Sequence, residues 1–216
     1  MFKSLNTSIL LLLIIFLFSS CATKTPTKKM NDLDLYLSYL TGYFSNLDQV
    51  KAEKRKGKQF HPEAKHITGL ANAKIDNLPK DFKGQYVIEE SYYTVIGKEQ
   101  IVKNHLFLFS LTDEGKVNLR VQTPDNIDNK LLTNDNSTLR FDFNKLSDIT
   151  RFKSADYQKT ERGFYMKNPN DLGKGMKFTL EETIGDGFLD VMELLEKDGK
   201  RITTYTTPIL YKKVKN

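Results

Sequence analysis

The sequence predicts a mainly β protein: an antiparallel up-and-down barrel with one N-terminal α-helix. Three observations predict it. One amphipathic helical segment occurs early, at residues 31–47. Beyond residue 60 the chain turns to segments of five to eleven residues rich in Val, Ile, Tyr, Phe and Thr. Those segments are separated by explicit turn chemistry. About ten or eleven consecutive strands joined by hairpins are best served by closure, which removes exposed sheet edges.

The first residues have a different character. Lys3 starts a short charged region, Ile9 through Phe18 are apolar without interruption, and Ser19-Ser20 precede Cys21. A charged start, an apolar stretch and small residues mark an export signal. The apolar run is shorter than the ~20 residues of a membrane-spanning helix. The small pair followed by cysteine resembles the lipobox of bacterial lipoproteins, with Phe18 departing from the usual Leu. Residues 1–20 are therefore expected to be a signal peptide and Cys21 the lipidated N-terminus. Cys21 is the sole cysteine, so the chain can form no internal disulfide. Residues 22–30 are polar, basic and interrupted by Pro26, the composition of a flexible tether. No acidic cluster follows the cysteine, which resembles lipoproteins passed to the outer membrane. The expected location is the cell envelope, with the membrane as a partner through the lipid.

Residues 31–216 form one expected domain. Leu33, Tyr36, Leu37, Leu40, Tyr43, Phe44 and Leu47 recur at helical steps, with Asn31 or Asp32 as cap and Gly42 weakening the last turn. The basic run Lys51–Lys58 reads as a solvated loop or helix end. Strands are predicted near 65–76, 85–96, 102–112, 116–123, 138–143, 155–160, 162–167, 176–184, 187–197, 200–207 and 209–214. Asp113-Glu114-Gly115, Gly185-Asp186-Gly187 and Asp198-Gly199 suit hairpin loops, while Pro124-Asp125-Asn126 and Asn168-Pro169-Asn170 read as loop starters. Asn144–Ile149 reads as one helical turn. The segment His105–Leu111 is apolar on both faces, which predicts a strand covered outside by the helix. Net charge is +6, yet the basic residues are mostly scattered and no nucleic-acid motif accompanies them.

Three blocks resemble the CpcT/CpeT chromophore lyase family. They are Tyr39-Leu40-Thr41-Gly42-Tyr43-Phe44-Ser45-Asn46 with Gln49, the strand Tyr86-Val87-Ile88-Glu89-Glu90-Ser91-Tyr92-Tyr93, and the closing Pro208-Ile209-Leu210-Tyr211-Lys212-Lys213. The resemblance implies a calycin-like barrel, often a homodimer, that binds a linear tetrapyrrole and delivers it to cysteines of phycobiliproteins. The chain departs from that pattern. Lys98-Glu99-Gln100-Ile101-Val102-Lys103 lacks the family's arginine, and Lys103 supplies a charge without a guanidinium's bidentate grip. Glu90 replaces a glutamine. The partner proteins are cytoplasmic, whereas this chain carries an export signal.

Side chains alternate along a strand, so Val87, Glu89, Ser91 and Tyr93 share one face, and Tyr86, Ile88, Glu90 and Tyr92 the other. Either face turned inward puts one carboxylate into an apolar barrel, at a cost of several kcal/mol unless it is paired. Expected ligand contacts are Glu89, Glu90, Tyr92, Tyr93 and Lys103, with Glu89 and Tyr92 as the catalytic pair if the protein is an enzyme. The structural alternative is a glutamate satisfied by a buried tyrosine or lysine. His61 and His66 have poor metal spacing, and His105 reads as a hydrogen-bonded core residue. No phosphate loop or nucleophile elbow appears. Three classes stay open: a binding module for a small, partly apolar ligand (the favoured reading), a lyase or ligand-transfer enzyme, and an envelope scaffold that binds only protein. The expected cofactor set is empty apart from a tetrapyrrole-like or other apolar ligand.

Overall fold

A computed structural model describes residues 30–214, except 96, 98, 125 and 126 and the side chain of 129. In chain order the elements are α1 (Asp32–Leu40), β1 (Gly42–Ser45), α2 (Leu47–Arg55), β2 (Glu63–Leu70), β3 (Ile75–Asp76), β4 (Gln85–Thr94), β5 (Ile101–Leu111), β6 (Val117–Thr123), β7 (Phe141–Asp142), β8 (Ser147–Asp148), β9 (Ala155–Thr160), β10 (Gly163–Gly173), β11 (Met176–Gly185), β12 (Phe188–Lys197), β13 (Lys200–Arg201) and β14 (Ile209–Val214). Ten of the strands pair antiparallel in the ring β1-β2-β4-β5-β6-β9-β10-β11-β12-β14, and β14 returns to β1. The predicted up-and-down barrel is thus what the chain forms. The expected signal, Cys21 and the expected tether up to residue 29 lie outside the described residues. Among those described, no helix is long and apolar enough to cross a membrane.

The single helix expected over 31–47 is two short helices with a strand between them. Asn31 caps α1 by accepting from the Asp34 amide at 2.8 Å. Gly42 then takes φ +134°, which no helix accommodates. Tyr43 and Phe44 are carried into β1, opposite Ile67 and His66 on one side and Val214 and Lys213 on the other. Local periodicity was overruled by strand pairing.

The helix also lies elsewhere than expected. The Tyr36 ring sits 5.0 Å from Phe109, 4.6 Å from Tyr157 and 5.4 Å from Phe164, all on inward faces. Leu33, Tyr36, Leu37 and Leu40 are buried with them, so α1 plugs one end of the barrel rather than covering β5 from outside. The outer face of β4 and β5 is covered by the segment after β6. Leu132, Leu139 and Phe141 pack on Tyr86, Ile88, Leu106 and Leu108. That is why His105–Leu111 is apolar on both faces.

Other departures follow from pairing. The expected strand 65–76 is β2, a 3-10 turn at Asn72–Lys74, and β3, which pairs in parallel with β7 outside the barrel. Only Phe141–Asp142 of 138–143 and Lys200–Arg201 of 200–207 are strand. The 144–149 segment is divided between a 3-10 turn at Phe143–Lys145 and β8. Asn168-Pro169-Asn170 lies within β10 instead of opening a loop. The β9–β10 ladder ends at Tyr165, so Pro169 stands where one edge of its strand is free, and a missing N–H is tolerated there.

Candidate functional site

The open end of the barrel holds a cavity of about 640 Å³. Its floor is Tyr36 and Leu40 of α1; its mouth is set by the ends of β5, β10 and β12 and by Phe152. The walls are largely apolar, with Phe107, Phe109, Leu119, Val121, Phe178 and Leu180 among them. Into this interior project three carboxylates from three strands: Glu89 of β4, Glu182 of β11 and Glu193 of β12.

Register decides which residues meet. Glu89 stands opposite Thr68 of β2 and His105 of β5, and Ser91 stands opposite His66. Glu89, Ser91 and Tyr93 therefore face inward beside His66 and His105. Glu89 Oε2 lies 3.6 Å from His66 Nδ1, and Glu89 Oε1 accepts from the Ser91 hydroxyl at 3.0 Å. Burial opposes charge on both partners of this pair. Nevertheless His66, His105 and Ser91 hold Glu89 below the ordinary carboxylate range, and Glu89 with Glu193 and Glu182 holds His66 above the ordinary imidazole value. Each partner favours the charged form of the other. His105 is pushed the other way, by burial and then by Lys103 and His66 against the pull of Glu89 and Glu193. Its Nδ1 has no hydrogen-bond partner among the described residues, so it is not the satisfied core histidine expected.

Glu193 is held at the mouth side. It accepts from the Tyr93 hydroxyl at 3.0 Å and from Lys103 Nζ at 3.3 Å, and Lys103 lies 5.0 Å over the Tyr93 ring. Glu182 accepts from the Tyr157 hydroxyl. Burial and the negative charge of Glu89 raise Glu182 to about 7, although Tyr157 and His66 work against them. Burial, followed by the nearby carboxylates, keeps the hydroxyls of Tyr36, Tyr93, Tyr157 and Tyr211 protonated. The site offers hydrogen-bond acceptors of graded charge, neutral phenols as donors, and a carboxyl poised to exchange a proton near neutrality.

Of the expected contacts, Glu89, Tyr93 and Lys103 reach the interior cluster. Glu90 and Tyr92 do not, because the inward face of β4 is that of Glu89. Glu90 lies under the covering segment and accepts from the Asn134 backbone amide at 2.8 Å, the Asn134 side chain at 2.7 Å and the Tyr92 hydroxyl at 2.6 Å. It is a structural anchor, and Tyr92 cannot act together with Glu89 across the strand. Burial and Glu90 push the Tyr92 hydroxyl up to about 12. His61 is a joint: its Nε2 meets the Thr207 carbonyl at 2.8 Å while Glu53 grips its Nδ1 and backbone amide.

Sequence reasoning missed Glu182, Glu193 and His66. A signal existed for the two acids. Glu182 lies between Leu180 and Ile184 at strand spacing, and Glu193 between Val191 and Leu195, so each interrupts an apolar face. Among the described residues, no group of three or more His, Cys, Asp or Glu is placed to hold a metal ion. Compared with known proteins, the chain matches no family model, no curated protein and no solved structure.

Proposed function

We propose that this chain is a lipid-anchored envelope protein whose barrel binds a small, partly apolar ligand. The observation that carries the reading is the cavity of about 640 Å³, open at one end and floored by Tyr36, with polar groups from β4, β11 and β12 projecting into it. Ligand sites are typically concavities of about 300–1,000 Å³ with mostly apolar walls and a few placed polar groups. A scaffold that binds only protein has no need of such a space. The three blocks similar to the CpcT/CpeT family support the same reading, with a tetrapyrrole-like molecule as one candidate and a homodimer as the expected assembly.

A second reading is favoured by one observation. Glu182, raised to about 7 beside the Glu89–His66 pair, suits proton transfer during attachment of a ligand to a partner protein. In that case Glu89, Glu182 and Tyr93 are the working groups, and Tyr92 is not.

Native mass spectrometry of the full chain purified from its own host tests the binding reading. A stoichiometric small molecule that leaves on activation is the expected result; bare protein from several growth conditions would count against it. The anchor, and with it the outer-membrane location facing the periplasm or the surface, is tested separately. Cys21→Ser should move the protein out of the carbonate-washed membrane pellet. If it stays there, the lipid is not what holds it.

A further inference from the structure

Charge is unevenly placed along the cavity, and its placement bears on what it binds. Arg151 and Lys153 are on the lining but exposed, on the segment before β9, whereas Glu89, Glu182 and Glu193 project into the interior. Glu182 and Glu193 lie diagonally on paired strands, since Leu180 is opposite Glu193 and Glu182 is opposite Val191. Glu89 faces them from β4 and raises Glu182 through its charge. Two of the three carboxylates have a basic partner. Glu89 has His66 at 3.6 Å, and Glu193 has Lys103 at 3.3 Å. Glu182 has the Tyr157 phenol and, among the described residues, no basic side chain in ion-pair contact. A further polar atom is unfilled. His105 Nδ1, on the cavity lining, is buried without a hydrogen-bond partner among the described residues, with Glu89 Oε1 3.9 Å away. An unpaired polar atom in a barrel that has room beside it is a place a ligand's polar group completes.

We propose that the cavity takes an organic cation, an amine-bearing molecule with an apolar body, whose charged nitrogen pairs with Glu182. The proposal rests on the ligand-binding reading and names the charge of its ligand. Among the described residues no group of three or more His, Cys, Asp or Glu is placed to hold a bare metal ion. An anion in the same place would meet three carboxylates. The aromatic walls suit a cation too, since Phe107, Phe109 and Phe178 present ring area to a desolvated ammonium. Glu182 faces Glu89, Glu193, His66, Tyr157 and Tyr36. In the empty barrel its proton stands where a basic partner would; an arriving ammonium replaces that proton and releases it to solvent.

The test uses the purified full chain and three probes that share one tail: decylamine, decanol and decanoate, titrated calorimetrically below their micelle concentrations. Decylamine should bind at least about tenfold more tightly than decanol, the smallest gain expected of a charge-assisted hydrogen bond. Decanoate should bind most weakly. In buffers of different ionisation heat near neutral pH, decylamine binding should release protons from the wild type and not from Glu182→Gln. That variant should lose the preference for the amine over decanol. If Glu182→Gln does not fold, Glu193→Gln should reduce the preference in the same direction. Equal or tighter binding of decanol or decanoate by the wild type overturns the cation proposal and leaves the ligand-binding reading standing. If none of the three probes binds, both fail.

Discussion

Glu89 Oε2 and His66 Nδ1 lie 3.6 Å apart in the wall of the barrel, each favouring the charged form of the other. The signs of the two shifts define where the pair stabilises the fold. Glu89 is depressed, so its contribution is present above the ordinary value of 4.5 and is lost as pH falls through the depressed one. His66 is raised, so its contribution is present below 6.5 and is lost as pH rises through the raised value. The two overlap between 4.5 and 6.5. His66→Gln leaves a buried carboxylate without its cation and should cost about 3 kcal/mol in that window. Urea unfolding across pH checks it: the gap between variant and wild type should narrow on both sides, and a gap independent of pH would mean that the pair is not ionised.

Glu182 should act in the opposite sense. Its folded value of about 7 lies above the ordinary 4.5, so the folded chain holds this proton more tightly than the unfolded chain. Stability contributed at this position therefore falls as pH rises from 4.5 to about 7 and stays low beyond. Glu182→Gln should stabilise the empty protein at alkaline pH and change little in acid. The gain should be on the order of 1 kcal/mol, because the carboxyl faces a cavity that water can screen. A lower melting temperature for the variant at alkaline pH would show instead that the Tyr157 hydrogen bond requires the charge.

Glu90 tests the assignment of the outer face. Glu90→Ala removes the acceptor of two bonds from Asn134 and one from Tyr92. The expected cost is about 2–3 kcal/mol, as for buried donors left unpaired. Hydrogen exchange should quicken in the amides of 130–139 and remain slow in β10, β11 and β12. Uniformly faster exchange would mean that the covering segment and the barrel open together.

Tyr36 tests the plug. Tyr36→Ala removes a ring packed on Phe109, Tyr157 and Phe164 and should cost about 3–5 kcal/mol, as large aromatic truncations in a core do. The cavity floor should deepen, so longer-tailed probes should gain affinity relative to short ones. An unchanged chain-length preference would place the ligand away from α1.

The barrel was legible because its signals are local. Alternation at Val87-Glu89-Ser91-Tyr93 and turns such as Asp113-Glu114-Gly115 and Asp198-Gly199 each specify strand or hairpin within a few residues. Glu89 was legible for the same reason, as an acid that alternation had to turn inward or outward. Tyr43 and Phe44 were misread because their helical spacing is real, and only the partners Ile67, His66, Val214 and Lys213 make them strand. Glu182 and Glu193 escaped notice because an acid between apolar neighbours means little until three such acids share one interior.

By itself, the sequence determined the class of structure: short-period alternation and turn residues act over a few positions, and they dictate an antiparallel sheet that must close. It also determined that one carboxylate of β4 would face inward. Only the tertiary structure decided which one, since that depends on register with β2 and β5 and on the covering segment that takes the other face. Closure brought Glu89 of β4 to face Glu182 and Glu193 of the β11–β12 hairpin, and it put α1 inside the barrel rather than on it. Which acids in a cavity have a basic partner depends on residues far apart in the chain, and local pattern carries no information about that pairing.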